Sequence, residues 1–282
     1  MPNSTGASRP TAAQISVIIP VWRDSDALAA LLPMLVSAPE IREVIVSAAE
    51  ASAGLARWVV EQRALCVEGG APNRGRQMDL GAGAASGEWL LFHHADTTIT
   101  REHLAALAAM AATTEVVGGA FYRRFDARHP ALRWLEPVER WHNRSFGALY
   151  GDQSIFVRRT QFDALGGFRA LPLMEDVDFT LRLRRAGRVV LLDPPIASSP
   201  RKHLAQGPWR TTATNAALLA LYHLGVAPAR LHAWYYRHSA SGGAVSSHDL
   251  ADDFPASPMP PPRMNTDLSL AKKSTQSNPP NR

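Results

Sequence analysis

An acidic pair stands where a predicted loop becomes a predicted helix. Glu175 and Asp176 precede an amphipathic run that covers residues 177–183. A carboxylate at a helix start is kept ionised by the helix dipole, so it can accept a proton from a hydroxyl that attacks another group. The alternative is helix capping, because acids at this position stabilise a helix by about 0.3–1 kcal/mol without any chemistry. The pair is therefore a candidate general base.

A second acid, Asp96, follows the apolar run Trp89-Leu90-Leu91-Phe92, which is a predicted strand. Carboxylates in this position can hold Mg²⁺ or Mn²⁺, since these ions prefer oxygen ligands and bridge diphosphate oxygens. Side chains alternate along a strand, so at most one of His93 and His94 faces the same site, and His94 is nearer to Asp96. The alternative is that Asp96 only caps the turn that precedes Thr97.

Two polar loops are further candidates. The loop at residues 72–77 contains Arg74, Gly75 and Arg76 ahead of a predicted helix, a combination that favours phosphate unless the loop is merely solvated. The loop Gly151-Asp152-Gln153 lies between apolar neighbours, and it either lines an acceptor pocket or shapes a turn.

The elements that must position these residues alternate along the chain. Apolar, β-branched runs predict strands, and segments with helical periodicity follow them; the predicted strands are 15–20, 43–46, 64–67, 88–92, 116–122 and 189–192. This alternation predicts an α/β protein with a Rossmann-like, doubly wound, mostly parallel sheet. Ligands of such sheets bind beyond the carboxyl ends of the strands, where Asp96 stands. A helical pair at 209–224 and 228–236 closes the fold as a C-terminal extension.

Composition limits the class of protein. The chain has 282 residues, a 46% hydrophobic fraction and a formal net charge of +5. The polar segments 1–14 and 239–282 are predicted to be disordered, and the charges of the second balance, so the positive excess belongs to the folded part. No nucleic-acid recognition module is present, and no run approaches the roughly 18 apolar residues of a membrane span. We therefore expect a cytoplasmic protein without a nucleic-acid partner, with peripheral contact to the inner membrane face as an open possibility.

The assembled motifs resemble family 2 glycosyltransferases of the GT-A fold. The similarity covers about residues 14–236, and its motifs are Ile18-Ile19-Pro20-Val21, His94-Ala95-Asp96-Thr97, Gly166-Gly167-Phe168 and Glu175-Asp176-Val177-Asp178. The residues 73–78, 150–159 and 173–176 are similar to one subgroup, the rSAM/selenodomain-associated transferases, also called arsenosugar-biosynthesis-type glycosyltransferases.

The resemblance implies a function and a division of the chain. A nucleotide-diphospho-sugar donor would bind to the half at 15–120, and an acceptor hydroxyl, on a small molecule or a lipid-linked one, to the half at 121–195; helices would occupy 196–238. Transfer of a hexose or a related sugar would be inverting and assisted by a divalent cation. The implied roles are catalysis by Asp176 with Glu175 beside it, donor binding by Pro20, Arg76, Asp96 and Asp152, and metal binding by Asp96 with His94.

The chain also departs from the family pattern. The first acid of the family's metal motif is His94 here, and the acid that usually follows the second strand and binds the base is Ser47. Glu50 and Asp24 are the alternatives for that role. A second hypothesis is therefore a degenerate member that binds a nucleotide sugar, a membrane surface or a protein partner without turnover.

Overall fold

A seven-stranded sheet forms the centre of the part of the chain that the computed structural model describes, which is residues 14–22, 24–113, 115–125, 129–145, 148–198 and 201–240. The strands are β1 (Ile15–Val21), β2 (Ile41–Ala48), β3 (Leu65–Glu68), β4 (Trp89–Phe92), β5 (Val116–Phe125), β6 (Ile155–Arg158) and β7 (Arg188–Ser198). The helices are α1 (Ser25–Val36), α2 (Ala53–Glu61), α3 (Arg74–Ala84), α4 (Arg101–Ala111), α5 (Pro130–Ser145), α6 (Arg159–Ala164), α7 (Glu175–Ala186), α8 (Arg201–Gln206), α9 (Pro208–His223) and α10 (Pro228–Ala240).

The order of the strands creates a switch point between β1 and β4. The sheet runs β3-β2-β1-β4-β6-β5-β7, and only β6 lies antiparallel to its neighbours. After β1 the chain moves outward through β2 and β3, and it then returns to place β4 on the other side of β1. A crevice opens beyond the carboxyl ends at such a reversal, so this topology assigns the place of the site. The predicted α/β, GT-A type of sheet is confirmed.

Apolar residues on both faces of the sheet explain why its central strands read as continuous hydrophobic runs. One core cluster packs α1, α2 and α4 against one face, through residues such as Leu28, Val59 and Leu104. The other packs α3, α6 and α7 against the opposite face, through residues such as Met78 and Phe179. The sheet is thereby buried between two helical layers.

The C-terminal helices pack on the segment that begins α7. Leu218 and Leu219 of α9 and Leu231 of α10 share a core cluster with Met174 and Val177. Met174 has a left-handed backbone with φ of 69°, which is unusual for a residue with a side chain. This packing holds the residues on either side of Glu175 and Asp176.

The structure adds elements that the periodicity did not predict. The helices α5 and α6 were not expected, whereas α8 falls within the expected helical extension. The helix α5 was hidden because its Arg-rich and Trp-rich sequence buries only a short stripe, in which Leu132 and Leu135 pack on Phe125. The strand β7 extends to Ser198, so the first residues of the expected helical extension at 196–238 belong to the sheet. The predicted disordered termini lie outside the described residues, apart from Gln14 and the end of α10. Among the described helices, none has the length and hydrophobicity needed to cross a bilayer.

Candidate active site

A polar crevice lies at the switch point, beyond the ends of β1 and β4. Its lining residues are Pro20, Val21, Trp22, Asp24, Arg74, Gln77, His94, Ala95 and Asp96. Of the residues predicted to bind the donor or a metal, Pro20, His94 and Asp96 line this crevice, whereas Arg76 and Asp152 do not. Trp22 and Gln77 are lining residues for which the sequence predicted no role, and Arg74 was predicted only as part of a basic loop.

Two acidic residues, Asp24 and Asp96, line the crevice. Asp24 begins α1 as its N-cap residue, and Asp96 follows β4. Burial raises the pKa of Asp24, and the charge of Asp96 raises it further, whereas Arg74 opposes the rise. A cation would relieve this repulsion, and paired carboxylates supply the hard oxygen ligands that Mg²⁺ and Mn²⁺ prefer.

Arg74 connects this acidic pair to the acids of α7. Its Nη1 lies 3.5 Å from Oε1 of Glu175, whose side chain is buried. Burial lowers the pKa of Arg74, but the charges of Glu175, Asp176 and Asp96 outweigh that effect, so the pKa is raised. The two acidic sites, which are far apart in the sequence, therefore converge on one guanidinium group.

The start of α3 explains why Arg74, rather than Arg76, enters the crevice. Asn73 is the N-cap residue, and its Oδ1 accepts a hydrogen bond of 2.9 Å from the backbone N–H of Arg76. Arg74 is thus the first helical residue, and Arg76 lies roughly 200° further around the helix. The Arg76 guanidinium lies near Gly70 on the far side of the loop. Arg74 thus lines the crevice and Arg76 does not, while donor binding by Arg76 stays a prediction.

Asp176 is fixed in orientation by two backbone groups. Its Oδ2 accepts a hydrogen bond of 2.7 Å from Gly151 N–H, and its Oδ1 accepts one of 2.7 Å from Val177 N–H. Burial, and then the neighbouring charge of Glu175, raise the pKa of Asp176 to about 7, although Gly151 and Arg74 oppose the rise. A carboxyl group with a pKa near neutrality is suited to take a proton from a hydroxyl and release it afterwards.

His94 lies between the acidic pair of the crevice and Asp176. Its Nε2 is buried and has no hydrogen-bond partner among the described residues. Burial, and then the charge of Arg74, lower the pKa of His94 to about 3, so the ring is neutral. A Cβ atom on Gly151 would lie 2.7 Å from this Nε2, which shows how closely the turn of Gly151 packs on the ring.

Asp152 serves this turn rather than the crevice. Its Oδ2 lies 2.6 Å from Nη1 of Arg123, which is largely buried. The charge of Asp152 also acts on His94, where it raises the pKa against the larger effect of burial. These contacts point to a supporting role for Asp152 beneath the site.

The residue that departs from the family pattern, Ser47, lies behind the lining residue Gln77 and is not itself part of the crevice wall. Ser47 is fully buried, and its Oγ has no hydrogen-bond partner among the described residues. Gln77 joins the strand ends here, because its Nε2 donates to the backbone oxygens of Val21 and Ser47, at 2.9 Å each. Trp22 lies at the rim, where its Nε1 is 3.5 Å from Oε2 of Glu50.

The metal-binding capacity of the site depends on its acidic pair. Among the described residues, no group of three His, Cys, Asp or Glu side chains is arranged to hold a metal ion. Mg²⁺ and Mn²⁺ are commonly bound through one or two carboxylates together with the phosphates of a substrate. Asp96 and Asp24 fit that mode, whereas the buried Nε2 of His94 faces Gly151.

Comparison with known proteins gives a family and a fold. Residues 16–157 match the family model described as glycosyl transferase family 2, which is half of the chain. None of the curated proteins is similar enough in sequence to count as a relative.

Solved structures share the fold at low sequence identity. The mannosyltransferase PcManGT from Pyrobaculum calidifontis, in complex with GDP-Man and Mn²⁺, is 17% identical with a TM-score of 0.54, over 86% of this chain and 79% of that protein. Residues 1–349 of TarS from S. aureus are 18% identical with a TM-score of 0.53, over 66% of this chain and 61% of that one. The TarS fragment in complex with UDP-GlcNAc has a TM-score of 0.52 at 17% identity, over 66% of this chain and 58% of that one. At these identities, the similarity demonstrates the fold alone.

Proposed function

The chain belongs to glycosyl transferase family 2, and we propose that it moves a sugar, a hexose or a close relative, from a nucleotide-diphospho-sugar donor to an acceptor hydroxyl with inversion. The observation that carries this proposal is the position of Arg74, which lines the crevice together with Asp96 and forms an ion pair of 3.5 Å with Glu175, the neighbour of Asp176. One end of the site holds charges suited to a diphosphate, and the other holds a carboxylate with a pKa of about 7.

The acceptor half of the reaction requires a base. The Asp176 carboxylate takes the proton of the acceptor O–H, and the acceptor oxygen forms a bond to the anomeric carbon. The bond between that carbon and the diphosphate oxygen breaks, so that a nucleoside diphosphate leaves from the opposite face. The hydrogen bonds from Gly151 and Val177 orient the carboxylate before the acceptor arrives, which reduces the entropic cost of the step.

The donor half requires positive charge. Arg74 is placed to bind a phosphate oxygen, because its guanidinium lies in the crevice and already interacts with the acids of both ends. Asp96 and Asp24 would hold a divalent cation, Mg²⁺ or Mn²⁺. When bound, that ion supplies positive charge to the diphosphate of the leaving group. The structure of PcManGT is a complex with both GDP-Man and Mn²⁺, which supports this assignment.

Base recognition is assigned to the crevice wall next to β2. Ser47 cannot supply the carboxylate usual in the family, and its side chain is buried. Trp22 offers an aromatic face at the rim, and Glu50 beside it offers a carboxylate. We therefore assign stacking of the base to Trp22 and hydrogen bonding to Glu50.

The acceptor side is bordered by α10. Tyr236 of this helix lies close enough to Arg74 for an electrostatic interaction. The acceptor, a small molecule or a lipid-linked one, would therefore enter between α10 and the start of α7. The arsenosugar-type subgroup and the cytoplasmic location stay predictions.

The test first identifies the donor from a panel of nucleotide sugars and then measures the activity of one variant. Calorimetry with UDP-sugars and GDP-sugars, in the presence of Mn²⁺, identifies the donor, and product formation is then followed with candidate acceptors. In Asp176→Asn we expect kcat to fall by roughly 100-fold or more while donor affinity is unchanged. Asp163→Asn, on the exposed part of α6, removes the same charge elsewhere and is the matched control.

Ser47 motivates a second candidate function. A serine stands where the family usually has the acid that binds the nucleotide base, and its side chain is buried. A degenerate member would bind a nucleotide sugar tightly and neither transfer nor hydrolyse it with any acceptor. Transfer that is retained at the wild-type rate in Asp176→Asn would contradict the assignment of the base.

A further inference from the structure

The exposed face of α9 is an apolar stripe. The residues exposed along this helix recur every three or four positions, so they share one face. Its apolar members are Trp209, Ala213, Ala216, Ala217 and Ala220, and the stripe ends at Leu224 just after the helix. Arg210 and His223 are the other exposed residues of α9. Trp209 is 61% exposed and Leu224 is 80% exposed. The opposite face is buried through Thr211, Leu218 and Leu219. The stripe spans roughly 22 Å, at about 1.5 Å per residue.

The charged residues of the segment that contains the stripe are all of one sign. From residue 201 to residue 240 the sequence has no Asp or Glu, and its basic residues are Arg201, Lys202, Arg210, Arg230 and Arg237. The formal net charge of the whole chain is also +5, so the rest of the chain has equal numbers of basic and acidic residues. Arg210 on α9, and Arg230 and Arg237 on α10, are exposed. An apolar stripe with exposed arginines on the same helix and on the next one is complementary to an anionic partner that also accepts apolar side chains.

We propose that α9, with the exposed arginines of α9 and α10, docks on the surface of an anionic lipid bilayer. The stripe would lie in the plane of the interface, with Trp209 and Leu224 between the headgroups and the cations against the lipid phosphates. A second copy of the chain is the less suitable occupant, because a two-fold contact through this face would place the same cations opposite each other. The inference does not depend on the proposed reaction, since it uses no residue of the crevice.

The test measures sedimentation of the full chain with vesicles of phosphatidylcholine, with and without phosphatidylglycerol. We expect the chain to sediment with the phosphatidylglycerol vesicles and to remain in solution with phosphatidylcholine alone. Ala213→Glu with Ala217→Glu adds two acids to the stripe, and the partition should fall by at least about tenfold. The matched control is Ala105→Glu with Ala109→Glu, which has the same spacing and charge on the exposed face of α4 and should partition like the wild type.

A second variant tests the apolar part without changing charge. Salt weakens the electrostatic attraction, so binding that persists at high salt should depend on Trp209 and should be lost in Trp209→Ala. Failure of the wild type to bind phosphatidylglycerol vesicles would overturn the proposal, as would equal binding by the α9 and α4 double variants. A dimer in light scattering that disappears in the α9 double variant would instead identify the stripe as a contact between copies.

Discussion

The Asp176 carboxylate and the backbone N–H of Gly151 are joined by a hydrogen bond of 2.7 Å. The bond links the start of α7 to the turn that enters β6, two segments that are separated by 25 residues in sequence. Gly151 can approach Asp176 only because it has no side chain on the side of His94. The geometry of the proposed base is thus set by a glycine and a buried histidine.

A methyl group at Gly151 should disturb both neighbours. The Cβ atom of alanine would lie 2.7 Å from Nε2 of His94, which cannot move freely because it is buried. We expect Gly151→Ala to destabilise the fold by about 1–3 kcal/mol and to lower kcat, measured by thermal unfolding and by initial rates. Gly83→Ala in α3 is the control, because nothing lies within 4 Å of the added atom, and it should be neutral or stabilising. Equal loss in the two variants would rule out the proposed packing.

The raised pKa of Asp176 has consequences for stability and for rate. The folded-state pKa is about 7 against an ordinary value of 3.8, so the folded chain holds this proton more tightly than the unfolded chain. The stabilisation that results is fully present below the ordinary value and is lost as the pH rises through about 7. Asp176→Asn should therefore gain stability relative to the wild type as the pH rises, in a series of melting temperatures. The wild-type kcat should rise over the same interval, because the base acts when it is ionised.

Parallel melting curves for the wild type and Asp176→Asn across the whole pH range would contradict the raised pKa. A kcat that is constant through neutrality would exclude Asp176 as the group that limits the pH profile. The two measurements are independent, since the first requires neither donor nor acceptor.

The fold could be predicted because its signals are local and consistent. β-branched apolar runs such as Val17-Ile18-Ile19 are buried on both faces, so the strands could be recognised without knowledge of their partners. Asp96 and Asp176 could be proposed as candidate site residues from the sequence, because Asp96 follows such a strand and Asp176 stands at the start of a predicted amphipathic helix. The sequence could not show the direction of a side chain where that direction depends on the exact cap of a helix or on a contact with a distant segment.

Arg74 and His94 illustrate that limit. The basic loop indicated that an arginine faces the crevice, but the choice between Arg74 and Arg76 depends on Asn73 being the cap of α3. His94 was expected to hold a metal, whereas the structure packs its Nε2 against Gly151, a contact across more than 50 residues. Such contacts arise from tertiary packing and leave no periodic trace in the sequence.

The two arginines of this loop form a natural pair of variants. Arg74→Gln should weaken donor binding by about 1.5–3 kcal/mol, because it removes a charge-assisted contact to the diphosphate. It should also shift the pH profile of kcat upward, since Arg74 lowers the pKa of Asp176. Arg76→Gln is the matched control and should leave both quantities near those of the wild type. A larger loss of donor affinity in Arg76→Gln, measured by calorimetry, would restore Arg76 as the phosphate ligand.

Removal of the cation should act through the acidic pair of the crevice. We expect a chelator to weaken donor binding by roughly tenfold or more in the wild type, since the ion neutralises the diphosphate. In Asp96→Asn and Asp24→Asn, Mn²⁺ should no longer change donor affinity. Asp26→Asn, exposed on α1 two residues beyond Asp24, is the control and should keep the full response. A response to Mn²⁺ that survives in Asp96→Asn would place the ion elsewhere.

The last prediction concerns Ser47 and Gln77, which are joined by a hydrogen bond of 2.9 Å from Nε2 of Gln77 to the backbone oxygen of Ser47. The buried Ser47 Oγ has no partner among the described residues, so Ser47→Ala should change the free energy of unfolding by less than about 1 kcal/mol and should stabilise the fold. Gln77→Leu should instead cost about 1–3 kcal/mol, because it removes the two buried hydrogen bonds that Nε2 donates to the backbone oxygens of Val21 and Ser47. Donor affinity should be unchanged in Ser47→Ala and reduced in Gln77→Leu, which lines the crevice. A tenfold loss of donor affinity in Ser47→Ala would show that the Ser47 hydroxyl contacts the base, and the roles assigned to Trp22 and Glu50 would then have to be revised.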